Sequence, residues 1–158
     1  MQKSSRRSFL LQFPAGIAAM TLALREPRLH AQSAITIPHA ALITPAEAAA
    51  MLKTADASRW KILQVGFRSM YDQRHIRGAI YAGPASQPQG LTNLRSAVSG
   101  LSKASPILLY CGCCPWSHCP NIAPAWNALH SMGFQHVRVI EIADNFGDDW
   151  VAKGYPVA

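Results

Sequence analysis

Four cysteines fall within nine residues of this 158-residue chain, in the stretch Cys111-Gly112-Cys113-Cys114-Pro115-Trp116-Ser117-His118-Cys119. A thiol does chemistry as its thiolate, which can attack an electrophile, exchange disulfides or ligate a soft metal. Cys111-Gly112-Cys113-Cys114 holds a C-x-x-C spacing, so Cys113 or Cys114 could resolve an adduct on Cys111. Cys119 could act as a further relay thiol or pair with Cys114. Gly112, Trp116, Ser117 and His118 are the loop residues placed to meet a substrate. Cys111, Cys113, Cys114, Cys119 and His118 also make an alternative ligand set for copper(I) or zinc. They come from a single loop without the separated second pair of a clear zinc site, so no metal or other cofactor is assigned. A lone cysteine on a strand is usually a buried, inert one. Four so close together argue against that fate.

The flanking elements position the loop. Pro106-Ile107-Leu108-Leu109-Tyr110 reads as a strand buried on both faces, and Cys111 follows it directly. Downstream, Ile122, Ala125, Trp126 and Leu129 recur at helical spacing, with Gly133 at the closing cap. Pro124 fits only near a helix start, which sets that start around Asn121. The loop thus joins a strand end to a helix N-terminus, where backbone N–H groups and the helix dipole stabilise an anionic sulfur. Amides of residues 112–119 are expected to hold it.

Elsewhere, Thr44-Pro45-Ala46-Glu47 opens a helix with a capping box. Further strands are expected at 40–43, 61–67, 79–81 and 136–142, and short helices at 69–73, 91–98 and 148–153. Strands alternating with helices imply an α/β fold, a mainly parallel central sheet flanked by helices on both faces. Its ligand site lies beyond the carboxyl ends of the strands, where Cys111 falls. Trp126 and Trp150 read as core. His75 reads as a backbone-holding residue, Arg68, Arg74 and Arg77 as surface charge, and Asp144 to Asp149 as a helix cap rather than a calcium loop.

Apolar residues make up 49% and charged residues 15%, as in a globular domain. The net charge of +7 is concentrated at the start: residues 1–33 carry +4 and the rest +3. No basic face of nucleic-acid-binding strength follows from that. Lys3, Arg6 and Arg7 precede an apolar stretch from Phe9 to Leu24, broken by Pro14 and Gly16 and too short to make a stable membrane span. Ser5-Arg6-Arg7-Ser8-Phe9-Leu10 resembles a bacterial twin-arginine export signal. Residues 1–33 are therefore expected to be a signal peptide, cleaved after Ala31 or Ser33, with residues 34–158 a single domain in the periplasm. The cleavage region has no cysteine for a lipid anchor.

Six segments in order resemble the rhodanese-like family. They are Thr44-Pro-Ala-Glu-Ala-Ala, Tyr71-Asp-Gln-Arg-His75-Ile-Arg-Gly78-Ala79, Ile107-Leu-Leu-Tyr-Cys111, Ser131-Met-Gly-Phe134, Val137-Arg-Val-Ile, and Trp150-Val-Ala-Lys-Gly-Tyr-Pro-Val157. The resemblance implies a rhodanese-like fold and a sulfurtransferase whose Cys111 carries sulfane sulfur as a persulfide. Its partners would be a small-molecule sulfur donor and acceptor, or a partner thiol protein. Two departures stand out. The loop is longer than usual and holds no basic residue except His118, so thiosulfate is not carried over as the donor. Gln64-Val65-Gly66 replaces the acidic residue expected before the short helix. A phosphatase on this fold would need an arginine about six residues after the cysteine to clamp phosphate, and position 117 is serine.

Overall fold

The computed structural model describes residues 37–158; the export signal expected at 1–33, and the start of the domain at 34, lie outside the described residues. Five strands form one sheet: β1 (Leu42–Ile43), β2 (Lys61–Gln64), β3 (Ile80–Tyr81), β4 (Ile107–Tyr110) and β5 (Val137–Ile140). Their order is β1-β5-β4-β2-β3 and every pairing is parallel, so β4 is the central strand. The helices are α1 (Pro45–Met51), α2 (Arg68–Gln73), α3 (Pro88–Val98) and α4 (Ile122–Ser131).

Alternation along the strands divides the core in two. Leu63, Ile107, Leu109 and Val139 face α3 and α4, against Leu94, Val98, Ala125 and Leu129. Ile62, Leu108, Tyr110 and Ile140 face the other way, against Ala48 and Ala49 of α1 and against Trp150. Because β4 is covered on both faces, all four of its side chains are buried, as its unbroken apolar run requires. Cys111 continues the odd-numbered side and belongs to the core beneath α3 and α4.

The capping box forms as expected: Glu47 N–H donates to Thr44 Oγ1 at 3.2 Å, and Thr44 N–H donates to Glu47 Oε2 at 2.8 Å. Several boundaries differ. The segment expected as strand at 40–43 begins as a 3-10 turn, His39–Ala41, and only Leu42 and Ile43 pair, both with β5. Strand β2 stops at Gln64, short of the expected 67. Helix α3 begins three residues before the expected Leu91, because Pro88 serves as its first residue. The closing helix is one π-type turn, Gly147–Val151, in which Ala152 N–H reaches back to Gly147 O at 2.8 Å. Among the described residues, no helix is long and apolar enough to cross a membrane.

Candidate active site

Strand β4 delivers Cys111 to the carboxyl edge of the sheet, 3% exposed. Two glycines make room around it. A Cβ at Gly66 would stand 3.3 Å from Cys111 Sγ and 2.7 Å from Gln64 Nε2, so β2 gives way to a bare backbone there. Gly112 takes φ +75°, which favours glycine, and a Cβ on it would come within 2.8 Å of Phe146 Cβ. Phe146 N–H donates to Gly112 O at 3.1 Å and locks this turn.

The turn folds the chain back so that the Cys111 thiol donates to Cys113 Sγ at 3.0 Å. Cys113 Sγ also lies 3.3 Å from Cys114 Sγ. The sulfurs of Cys111, Cys113 and Cys119 all lie within 4.8 Å of one another. Of the five residues in the alternative soft-metal set, these three converge and could hold such an ion. His118 does not join them; its Nδ1 is 2.8 Å from Ser117 Oγ, and both residues are exposed.

One residue in the cluster was seen in the sequence only as a helix start. Asn121 is fully buried, and its Nδ2 donates to Cys111 Sγ at 3.4 Å and to Cys113 Sγ at 3.5 Å. Its Oδ1 accepts from Ser86 N–H at 3.0 Å, which fixes the amide's orientation. Occupied in this way, its side chain does not cap α4.

The hydrogen bonds distribute charge unevenly. Cys113 is drawn down to about 5, first by the thiol of Cys111 and then by Cys114 and Asn121, against the cost of burial. Cys119 is drawn down to about 7, first by Cys111 and then by the amides of Asn121 and Ile122 at the head of α4. Cys111 is pushed up, because its proton is shared with Cys113 and Cys119 and because it is buried. Cys114 is pushed up to about 12, chiefly by burial and then by Cys113. In the resting loop the negative charge therefore sits beside Cys111, on Cys113.

The expected amide cradle is only partly present. Trp116 N–H is committed to Ala143 O at 3.0 Å, His118 N–H to Pro115 O at 2.9 Å, and Cys119 N–H to Trp116 O at 3.2 Å. Asn121 and the amides that open α4 supply what those three do not.

The charge distribution gives a direct prediction. A depressed thiol pKa keeps the thiolate populated down to the depressed value and removes it below that. Iodoacetamide labelling of Cys113, followed by peptide mass spectrometry, should hold its rate from about pH 8 to about pH 6 and fall only near pH 5. A free cysteine would slow progressively below roughly pH 8.5.

Cys119 opens onto a cavity of about 340 Å³ lined by Ile37, Leu42, Trp116, Ser117, Ile122 and Ala123. None of these lining residues is charged. His75 holds backbone, as expected: its Nδ1 is 2.8 Å from Tyr71 O, its ring stacks on Tyr71 at 3.9 Å, and its main chain pairs with Ala158. Arg68 is paired with exposed Asp72 at 2.8 Å.

A central parallel strand that ends in a buried cysteine, inside a cluster of thiols, defines a cysteine-centred α/β domain. The chain belongs to the rhodanese-like family: the Rhodanese-like domain profile matches residues 44–142. Solved structures agree on the fold. The Alr3790 protein from Anabaena sp. is 25% identical over 73% of this chain and 90% of its own, with a TM-score of 0.56. The BH2092 protein from Bacillus halodurans is 20% identical over 73% of this chain and 74% of its own, with a TM-score of 0.53. A protein from Rhodopseudomonas palustris, described as of unknown function and a possible tyrosine phosphatase, is 22% identical over 74% of this chain and 83% of its own, with a TM-score of 0.52. No curated protein matches the chain. Membership of the family, together with the trio Cys111, Cys113 and Cys119, is consistent with a sulfurtransferase-type domain.

Proposed function

We propose that the protein is a sulfurtransferase that carries sulfane sulfur as a persulfide on Cys111, and that it works in the periplasm after export. The observation that carries this reading is the Asn121 amide, which donates to Cys111 Sγ and Cys113 Sγ from a fully buried position. A buried donor aimed at two sulfurs stabilises sulfur that bears negative charge, as a thiolate or as a persulfide anion. Cys111 transfers its shared proton to Cys113 or Cys119 as it attacks the donor's outer sulfur. The bond from Sγ to that sulfur forms, the bond from it to the rest of the donor breaks, and that remainder leaves with the electron pair as a sulfinate or thiolate. The uncharged cavity beside Cys119 favours an organic donor, or a cysteine on a partner protein, over the thiosulfate dianion.

The test is intact-protein mass spectrometry of the reduced protein after exposure to a sulfane donor. The wild type should gain one sulfur that reductant removes or, where a neighbouring thiol displaces it, release that sulfur as sulfide. The Cys111→Ser variant should do neither. Equal sulfur loading of Cys111→Ser would sink the assignment of Cys111.

A further inference from the structure

We propose that the loop also reduces the sulfur it accepts: Cys113 displaces the sulfane sulfur from Cys111 as hydrosulfide, leaving a Cys111–Cys113 disulfide. This rests on the persulfide reading and adds an activity, sulfane-sulfur reduction, to it. The geometry singles out Cys113. Its sulfur already touches Cys111 Sγ at 3.0 Å, whereas Cys114 approaches the pair through Cys113, at 3.3 Å. Asn121 Nδ2 spans both reacting sulfurs, at 3.4 and 3.5 Å, so one donor serves whichever of them bears charge as the bond forms. The left-handed Gly112 between them, held by Phe146, is what folds a Cys-x-Cys segment tightly enough for the two sulfurs to meet. Cys113 is part-exposed while Cys111 is buried, which leaves the resulting disulfide open to attack on the Cys113 side.

The electrons balance within the loop. The Cys113 thiolate attacks Cys111 Sγ of the Cys111–S–SH group. The Sγ–Sγ bond forms, the bond to the outer sulfur breaks, and that sulfur leaves with the electron pair and its proton as HS⁻. The sulfane sulfur is reduced by two electrons, and two thiols are oxidised to one disulfide. An external dithiol then resets the loop by thiol–disulfide exchange, giving up its own two electrons. Attack on the outer sulfur would instead move the persulfide to Cys113 and release nothing.

Benzenethiosulfonate separates the steps, because loading Cys111 releases benzenesulfinate and resolution releases sulfide. Reduced full-length protein, freed of reductant, is mixed with this donor, and both products are counted. The wild type should release one sulfide for each sulfinate and become two hydrogens lighter, with the disulfide mapping to Cys111 and Cys113. Cys113→Ser should release sulfinate, keep one added sulfur on Cys111 and lose sulfide release. Sulfinate without sulfide from the wild type would overturn resolution while leaving sulfur carriage standing. Undiminished sulfide from Cys113→Ser would overturn the assignment to Cys113. No sulfinate from either protein would overturn sulfur carriage and this inference together.

Discussion

Asn121→Asp should slow sulfur loading of the loop by about 100-fold at neutral pH while leaving the fold intact. A hydrogen bond to a charged group contributes about 1.5–3 kcal/mol, and only one of the two sulfurs carries the charge at a time, so losing this donor is worth a factor of that order. The substitution keeps the shape of the side chain and the oxygen that accepts from Ser86 N–H at 3.0 Å. It replaces the donor facing Cys111 and Cys113 with a second oxygen. An ionised carboxyl at this position would be a negative charge within contact of the sulfur that holds the thiolate, and a protonated one would take up that charge in its place as pH rises. In either state a second negative charge in this buried space is disfavoured, so the thiols ionise later. The labelling profile of Cys113 should accordingly move from an inflection near pH 5 to one above roughly pH 8. Unchanged labelling and unchanged loading would show that the Asn121 amide contributes nothing to the sulfur chemistry.

Strand β4 and the place of Cys111 at its end were legible because a four-residue apolar run bounded by proline and cysteine leaves few alternatives. The capping box of α1 was legible because both of its bonds lie within four residues of chain. What sequence could not show was set by contacts between distant segments. Asn121 looks like an ordinary helix start until the loop folds over it. Only then is its amide shared between Ser86 on one side and two sulfurs on the other. Gly66 lies in the Gln64-Val65-Gly66 stretch that departs from the family's acidic residue, but its use, clearing space for Cys111 Sγ, depends on β2 lying beside β4. The apolar cavity joins Ile37 and Leu42 from the start of the described chain to Trp116 and Ile122 near the loop, which no local pattern encodes. The charge order among the cysteines was legible only at the helix end. A thiol beside the start of α4 is stabilised as its anion, as Cys119 is, but that Cys113 rather than Cys111 carries the charge is decided by distances between side chains.

Trp150→Ala should carry the largest stability cost in the domain, about 3–5 kcal/mol, the usual range for emptying a buried tryptophan site. For a domain of this size that is roughly a 10–20 °C fall in Tm, read by thermal unfolding. Trp150 is fully buried in the π-type turn, stacked on Phe146 at 6.1 Å and edge-on to Tyr155 at 5.2 Å. Its Nε1–H donates to Pro156 O at 3.1 Å, which ties down the C-terminal segment that pairs with His75. Phe146 in turn stacks on Tyr110 at 5.6 Å and closes over Gly112. A void under Phe146 would therefore loosen the turn that holds Cys113 against Cys111, and Cys113 labelling should shift toward the pH dependence of a free thiol. Trp150→Phe separates the two contributions. It keeps most of the ring packing, loses the Nε1 bond and leaves a smaller void, so it should cost about 2–3 kcal/mol and leave the labelling profile in place. If Trp150→Ala lowered Tm as expected but left Cys113 labelling unchanged, the loop would owe its geometry to Gly112 and Asn121 alone.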